Sequence, residues 1–359
     1  MDHTRFTVSK AHFIQALAGC LQQRDVAAVR SCVLCLKESL LGAPPGDAGL
    51  SPPDATDEML SLRRDILLSE LDQVLRARTL ERARYYLERL RASVEQVKTS
   101  GINDINLRRW KEYDDVLTDS LWLLERRDTS GAHLAWYWGN FVPQIPRQMM
   151  LRYTRRGEWV LDPFVGSGTT LIECRRLGRN GIGVELNPEV AVQARELVDR
   201  EPNAFGVVSE VVVGDSMALD FAGLLRRQGT EAVHLLIMHP PYHDIIRFGE
   251  DPRDLSNAPS VDRFLEMFGE VVARTYPLLE EGRYLAVVIG DKYAGGEWIP
   301  LGFHAMQEVL RQGYRLKSIV VKNFDRTRGK REQKALWRYR ALAGGFYVFK
   351  HEYILIFQR

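Results

Sequence analysis

The sequence predicts an α/β protein, a doubly wound and mostly parallel sheet preceded by a separate helical domain. Three observations carry that expectation. From Glu158 onward, short apolar runs alternate with amphipathic stretches, the signature of repeated strand–helix units. Three of those runs lead into an acidic residue, Asp162, Glu185 and Asp215. Before residue 131, Leu, Arg and Glu recur at helical spacing without a strand-like alternation.

The helical part divides by composition. Phe6 to Leu41 carries two short helical patterns, residues 42–56 form a linker rich in Pro, Gly and Asp, and Met59 to Val97 is a long helical run. Ile105 to Arg126 continues in the same style, with Leu107, Trp110, Leu117, Leu121 and Leu124 on one face. The expectation is an all-helical N-terminal domain over 1–130, without an internal repeat, and a second domain over 131–359. An oligomerisation module, a DNA-contacting module and a plain packing cap all fit the first domain, and its role stays open.

In the second domain, Glu158-Trp159-Val160-Leu161 reads as a strand ending at Asp162, and Gly166-Ser167-Gly168 as a turn opening a helix from Thr169. Gly181 to Val184 reads as the next strand, then Val211 to Val213, His234 to Met238 and Tyr284 to Asp291. Gly302 to Arg311 reads as a helix and Leu316 to Val321 as a strand, with Glu352 to Phe357 closing an antiparallel edge.

The glycine turn is built for a ligand. Gly166 and Gly168 let the chain turn sharply and let a bound group approach where a Cβ would otherwise stand. Glu185 follows about twenty residues later, where a carboxylate accepts both hydroxyls of a ribose, and Asp215 is placed to take the exocyclic amine of an adenine ring. No Gly-Lys-Ser/Thr follows the glycines, so a triphosphate-cradling loop is not supported. A ligand with ribose and adenine fits, and it need not carry phosphates.

His239-Pro240-Pro241-Tyr242 follows the apolar run His234 to Met238. Two prolines there end a strand, because proline donates no ladder hydrogen bond. The same four residues also suit a flat, amine-bearing base, with acceptors at His239 and Pro240 and a stacking face on Tyr242.

Asp162-Pro163-Phe164-Val165-Gly166-Ser167-Gly168-Thr169-Thr170, with His239 to Tyr242 after it, resembles the S-adenosylmethionine-dependent methyltransferases that modify exocyclic amines of DNA bases, the cytosine-N4 and adenine-N6 class. Tyr137 to Arg147 resembles that family's segment closing over the cofactor from the other side. The resemblance runs from about Gly131 to the C-terminus. It implies a Rossmann-like, seven-stranded methyltransferase sheet, S-adenosyl-L-methionine as cofactor, and DNA as partner. The implied cofactor residues are Asn140, Phe141, Asp162, Phe164, Gly166, Gly168, Thr169, Glu185 and Asp215. His239, Pro240, Pro241 and Tyr242 are the implied catalytic tetrapeptide. The family places Asp, Asn or Ser where this chain has His239. The residues after the tyrosine, His243 to Phe248, look more like the cytosine-N4 pattern. A base inside a duplex has to be flipped out to reach such a pocket.

The remaining features bound the reading. A formal net charge of +2 over 359 residues makes no case for nucleic acid by itself. The stretch Lys322 to Arg340 is strongly basic with aromatics interleaved, and Arg326, Arg328, Lys330 and Arg331 are its candidate phosphate contacts. Four cysteines argue against a disulfide framework, Cys32-Val33-Leu34-Cys35 has no partner pair, and no metal site is expected. The absence of a membrane-length apolar run and of a secretory leader makes a cytoplasmic protein the expectation. The resulting reading is a site-specific DNA amino-methyltransferase, compatible with a restriction or defence partner and with a homodimer. An adenine-N6 enzyme, an RNA amino-methyltransferase and a catalytically silent nucleic-acid-binding module are the alternatives.

Overall fold

The structure is a computed structural model that describes residues 4–42, 58–134, 136–323 and 334–359. The chain divides into two compact units, one of residues 1–101 and 105–115, the other of residues 102–104 and 116–359. Residues 116–130 therefore fall in the second unit. Among the described residues no helix is long and apolar enough to cross a membrane.

The N-terminal unit is mainly helical, but it also contains an antiparallel strand pair, β1 (Arg5–Ser9) and β2 (Met59–Arg63). Each strand runs into two helices: α1 (Lys10–Leu21) and α2 (Val26–Gly42) after β1, α3 (Arg64–Leu75) and α4 (Leu80–Glu95) after β2. The two halves repeat position for position. Buried Phe13, Leu17, Cys20, Val29, Val33, Leu36 and Leu40 are matched 54 residues later by buried Leu67, Leu71, Val74, Ala83, Leu87, Leu90 and Val94. The strand register is symmetric about Thr7 opposite Ser61. This corrects the expectation of no repeat: apolar character is conserved between the halves while most residue identities are not, so the duplication is legible only once the core is known. Cys20 and Cys32 are joined by a disulfide, contrary to expectation, because α1 and α2 bring their Cα atoms to 5.5 Å.

Ile105 to Arg126 does not continue the helical style. It holds a short 3₁₀ turn, Leu107–Glu112, and a two-residue strand, β3 (Leu121–Trp122).

The second unit is a sheet with helices on both faces. Its further strands are β4 (Trp159–Asp162), β5 (Asn180–Glu185), β6 (Ser209–Val213), β7 (Val233–Met238), β8 (Leu279–Ile289), a small hairpin of β9 (Lys292–Ala294) and β10 (Glu297–Ile299), β11 (Arg315–Asn323) and β12 (His351–Gln358). The eight-stranded order is β3-β11-β12-β8-β7-β4-β5-β6. Seven strands form the expected sheet, and β3 adds an eighth beside β11. The central strands β8, β7, β4, β5 and β6 are parallel. β12 is antiparallel to both β8 and β11 and lies between them, not at the edge. Ile354 to Phe357 are all buried, Ile354 and Ile356 facing one layer and Leu355 and Phe357 the other, and an edge position would leave that run half covered.

One helical layer comprises α5 (Gln144–Tyr153), α6 (Thr169–Leu177) and α7 (Pro188–Arg200), whose Ile145, Met149, Leu171 and Ala194 meet Val160, Leu235 and Ile237. The opposite layer comprises α8 (Phe221–Arg227), α9 (Val261–Thr275) and α10 (Leu301–Arg311), whose Phe221, Phe264, Phe268 and Leu301 meet Leu161, Leu236 and Met238. Alternation along β7 thus serves both cores. The shared direction of the parallel strands delivers the carboxyl ends of β4, β5, β6 and β7 to one end of the sheet, where open parallel sheets bind ligands. A last helix, α11 (Lys334–Gly344), precedes β12.

Candidate functional site

The carboxyl ends of those strands line a single cavity of about 1020 Å³, at the upper end of the range of roughly 300–1,000 Å³ for ligand pockets. Asn140, Phe141, Phe164, Gly166, Thr169, Glu185, Asp215 and the tetrapeptide His239 to Tyr242 all border it.

Asp162 and Gly168 do not border the cavity; they shape the turn beside it. The Asp162 carboxylate is fully buried and accepts from the Phe164 amide at 2.9 Å and the Thr170 hydroxyl at 2.5 Å. Burial pushes its pKa up to about 7 against those two hydrogen bonds. Gly168 precedes α6 at φ 82°, and a Cβ there would stand 2.9 Å from Val198 on α7. Gly166, at φ 50°, faces the Tyr137 ring.

Both cavity carboxylates are held from behind. Glu185 accepts the Asn187 amide at 2.9 Å, and burial raises its pKa. Asp215 accepts the Met217 amide at 2.8 Å, while the adjacent Ser216 hydroxyl donates to the Pro163 carbonyl at 2.7 Å and ties the two turns together. Each carboxylate still has acceptor capacity, as ribose hydroxyls or an adenine amine require.

Four contributors on the same wall carried no assigned role in the sequence reading. Arg127 donates to the Asn140 side chain at 3.0 Å and to the Phe141 carbonyl at 2.7 Å, yet its Nε and Nη2 are buried without a hydrogen-bond partner. Tyr137 stacks on Phe248, with ring centroids 5.4 Å apart. Lys322 and Glu352, cross-strand partners on β11 and β12, form a buried ion pair at 2.8 Å. Glu352 then accepts the Tyr242 hydroxyl at 2.8 Å, and His239 Nε2 lies 3.1 Å from the same oxygen. Tyr137, Lys322 and Glu352 each lay inside a segment already singled out, but nothing local in the sequence pointed to these contacts.

The loop after the tetrapeptide is pinned. His243 adopts φ 52°, its Nε2 meets the Ala258 carbonyl at 2.8 Å, and Lys292 bonds both its Nδ1 and Asp244. A bulky residue at positive φ is strained and persists only where its surroundings fix it. His243 is thus a strut for the turn that carries Tyr242. Elsewhere, Asp128, His133 and Glu173 offer ligand atoms within 4.8 Å of one another, but Arg176 bonds Asp128 and Glu173 and Arg147 stands 3.7 Å from Glu173. Two guanidiniums already supply the positive charge there. Arg326, Arg328, Lys330 and Arg331 lie outside the described residues.

Known proteins point the same way. Residues 78–196 match the family described as DNA methylase, the N6/N4 methyltransferases. The type II methyltransferase M.HpaI of Haemophilus parainfluenzae is 44% identical over 63 residues, 18% of this chain and 20% of that protein. M.Cfr9I of Citrobacter freundii is 33% identical over 91 residues, 25% of this chain and 29% of its own, and M2.DpnII of Streptococcus pneumoniae 43% over 116 residues, 30% and 43%. The chain therefore spans less than half the length of these relatives. Among solved structures, TrmN from Thermus thermophilus aligns over 62% of this chain and 50% of its own at 15% identity and a TM-score of 0.39, too distant to bear on function. The glycine turn, the two carboxylates and the Pro-Pro-Tyr pocket surround one cavity, in a chain that over residues 78–196 is similar to the N6/N4 DNA methylases.

Proposed function

We propose that this is a cytoplasmic DNA methyltransferase acting on the exocyclic amine of an extruded base, with N4 of cytosine the preferred atom. The observation that carries the reading is that one cavity is shared by the glycine turn with its two carboxylates and by His239 to Tyr242.

The cavity residues fit the cofactor's three parts. Glu185 would accept the ribose hydroxyls and Asp215 the adenine amine. The Arg127 guanidinium, with its Nε and Nη2 nitrogens unspent, would take the carboxylate of the methionine portion, an Arg–carboxylate pair being among the stronger charge-assisted contacts. When bound, S-adenosylmethionine supplies a methyl group activated by its sulfonium. The protein's task is then placement. An exocyclic amine is a poor nucleophile because its lone pair is delocalised into the ring. Acceptors for both amine hydrogens, the Pro240 carbonyl and a second group at His239, would turn that lone pair out of the ring, while Tyr242 offers its face to the base. The preference for cytosine rests on the pattern of His243 to Phe248.

Mass spectrometry of nucleosides from duplex DNA, single-stranded DNA and RNA, each treated with the protein and labelled cofactor, tests the polymer, base and atom together. N4-methylcytosine in DNA is the expected product. N6-methyladenine would overturn the base, label in RNA alone the polymer, and no label at all the enzyme. Tyr242→Ala is the control: it should lose transfer and keep cofactor binding, since stacking contributes about 1–3 kcal/mol to holding an extruded base.

A further inference from the structure

We propose that Glu352, acting through Tyr242, fixes His239 as its Nε2–H tautomer, so that His239 Nδ1 is the second acceptor for the amine of the bound base. The inference rests on the methyltransferase reading of the site and names the atom that replaces the family's Asp, Asn or Ser.

Proton counting along one chain of contacts carries it. Lys322 donates to Glu352 Oε1 at 2.8 Å, and Glu352 Oε2 is 2.8 Å from the Tyr242 hydroxyl. Lys322 and Glu352 are both buried, at 5% and 3% exposure. A carboxylate paired with an ammonium has no proton to give, so the single phenolic hydrogen goes to Glu352. The phenol oxygen is then an acceptor toward His239 Nε2, 3.1 Å away, and Nε2 must carry the hydrogen. Burial lowers the His239 pKa to about 4, so at neutral pH the ring holds one proton and Nδ1 keeps its lone pair. Among the described residues nothing is hydrogen-bonded to Nδ1, and His239 borders the cavity beside Pro240. The Phe141 ring, 4.9 Å from the imidazole, backs it on one side. Glu352 touches neither base nor cofactor in this scheme and is a positioning residue.

Reversing the chain is the test. In Glu352→Gln, Lys322 attracts the amide oxygen and turns the amide NH₂ toward Tyr242, whose hydrogen then points at His239. Nε2 becomes the acceptor, Nδ1 takes the proton, and an amine acceptor becomes a donor. We expect kcat to fall at least about tenfold, equivalent to one misplaced hydrogen bond, with the cofactor Kd and the KM for DNA little changed. His239→Asn hangs its carbonyl oxygen on Cγ, where the imidazole carries Nδ1, and is too short to reach the Tyr242 hydroxyl. In that background Glu352→Gln should cost less than about twofold. Equal losses in both backgrounds would show that Glu352 acts by itself and would overturn the proposal, as would full activity of Glu352→Gln alone. The imidazole ¹⁵N shifts of the parent protein give an independent reading: an unprotonated Nδ1 that becomes protonated in Glu352→Gln is expected, and a protonated Nδ1 in the parent sinks the proposal. A parent without transfer to any nucleic acid, but with the expected ¹⁵N pattern, would instead remove the methyltransferase reading and leave the tautomer standing.

Discussion

The Tyr137 ring lies across Gly166 so closely that a Cβ on the glycine would stand 3.1 Å from Tyr137 Cε1. Gly166 also sits at φ 50°, where an L side chain adds a strain of roughly 1–2 kcal/mol. Gly166→Ala should therefore fold, displace Tyr137 from its stack on Phe248, and weaken cofactor binding by about tenfold. Titration calorimetry reads this, and an unchanged Kd would mean that the turn does not touch the cofactor.

Glu185→Ala removes the carboxylate assigned to the ribose hydroxyls. Hydrogen bonds to a charged group contribute about 1.5–3 kcal/mol each, so affinity for the cofactor should drop at least about tenfold. Glu185→Gln, which keeps one acceptor oxygen, should lose less. If alanine and glutamine lose equally, the charge matters and the ribose assignment does not explain it.

Arg127→Met separates the cofactor's parts. Binding of S-adenosylmethionine and of S-adenosylhomocysteine should weaken by about tenfold or more, while adenosine, which lacks the carboxylate, should bind as before. Equal weakening for all three would assign Arg127 to holding Asn140 and Phe141 in place.

What the sequence made legible is local. The glycine turn, its Asp162 and the acidic ends of β5 and β6 follow from strand–turn–helix chemistry spread over a few residues each, and chain order alone put them at one end of a parallel sheet. Contacts between distant strands left no such trace. Glu352 is 110 residues from Tyr242, and as a sequence feature Lys322 is one cation in a basic run. Their pairing depends on β12 lying between β8 and β11, which the apolar run Ile354 to Phe357 did not distinguish from an edge. The N-terminal duplication was hidden for a related reason: Phe13 against Leu67 and Cys20 against Val74 preserve burial and little else.

The basic segment has a salt-dependence signature of its own. If Arg326, Arg328, Lys330 and Arg331 contact phosphates, neutralising two of them should weaken DNA binding and flatten the slope of log K against log salt by about 0.9 for each lost contact on duplex DNA. Fluorescence anisotropy across a salt series measures it. A slope equal to the parent's would remove these residues from the phosphate contacts.

Asp162 gives a pH signature of opposite sign to that of an ordinary salt-bridged carboxylate. Burial raises its folded pKa to about 7, against an unfolded value of about 3.9. The folded state therefore binds the proton more tightly than the unfolded chain, and its stability falls as pH rises between those two values. Three pKa units correspond to at most about 4 kcal/mol, with the opposing Phe164 and Thr170 hydrogen bonds already counted in the folded value. Asp162→Asn keeps an acceptor for the Phe164 amide and can donate to Thr170 Oγ1 once that hydroxyl rotates, so it should fold with the same turn and carry no ionisable group. Urea unfolding of cofactor-free parent and variant at pH 5, 6, 7 and 8 isolates the effect: the variant should gain on the parent from pH 5 to 7 and level off above. A difference that does not change with pH would mean that Asp162 is ionised throughout, held so by its two donors despite its burial.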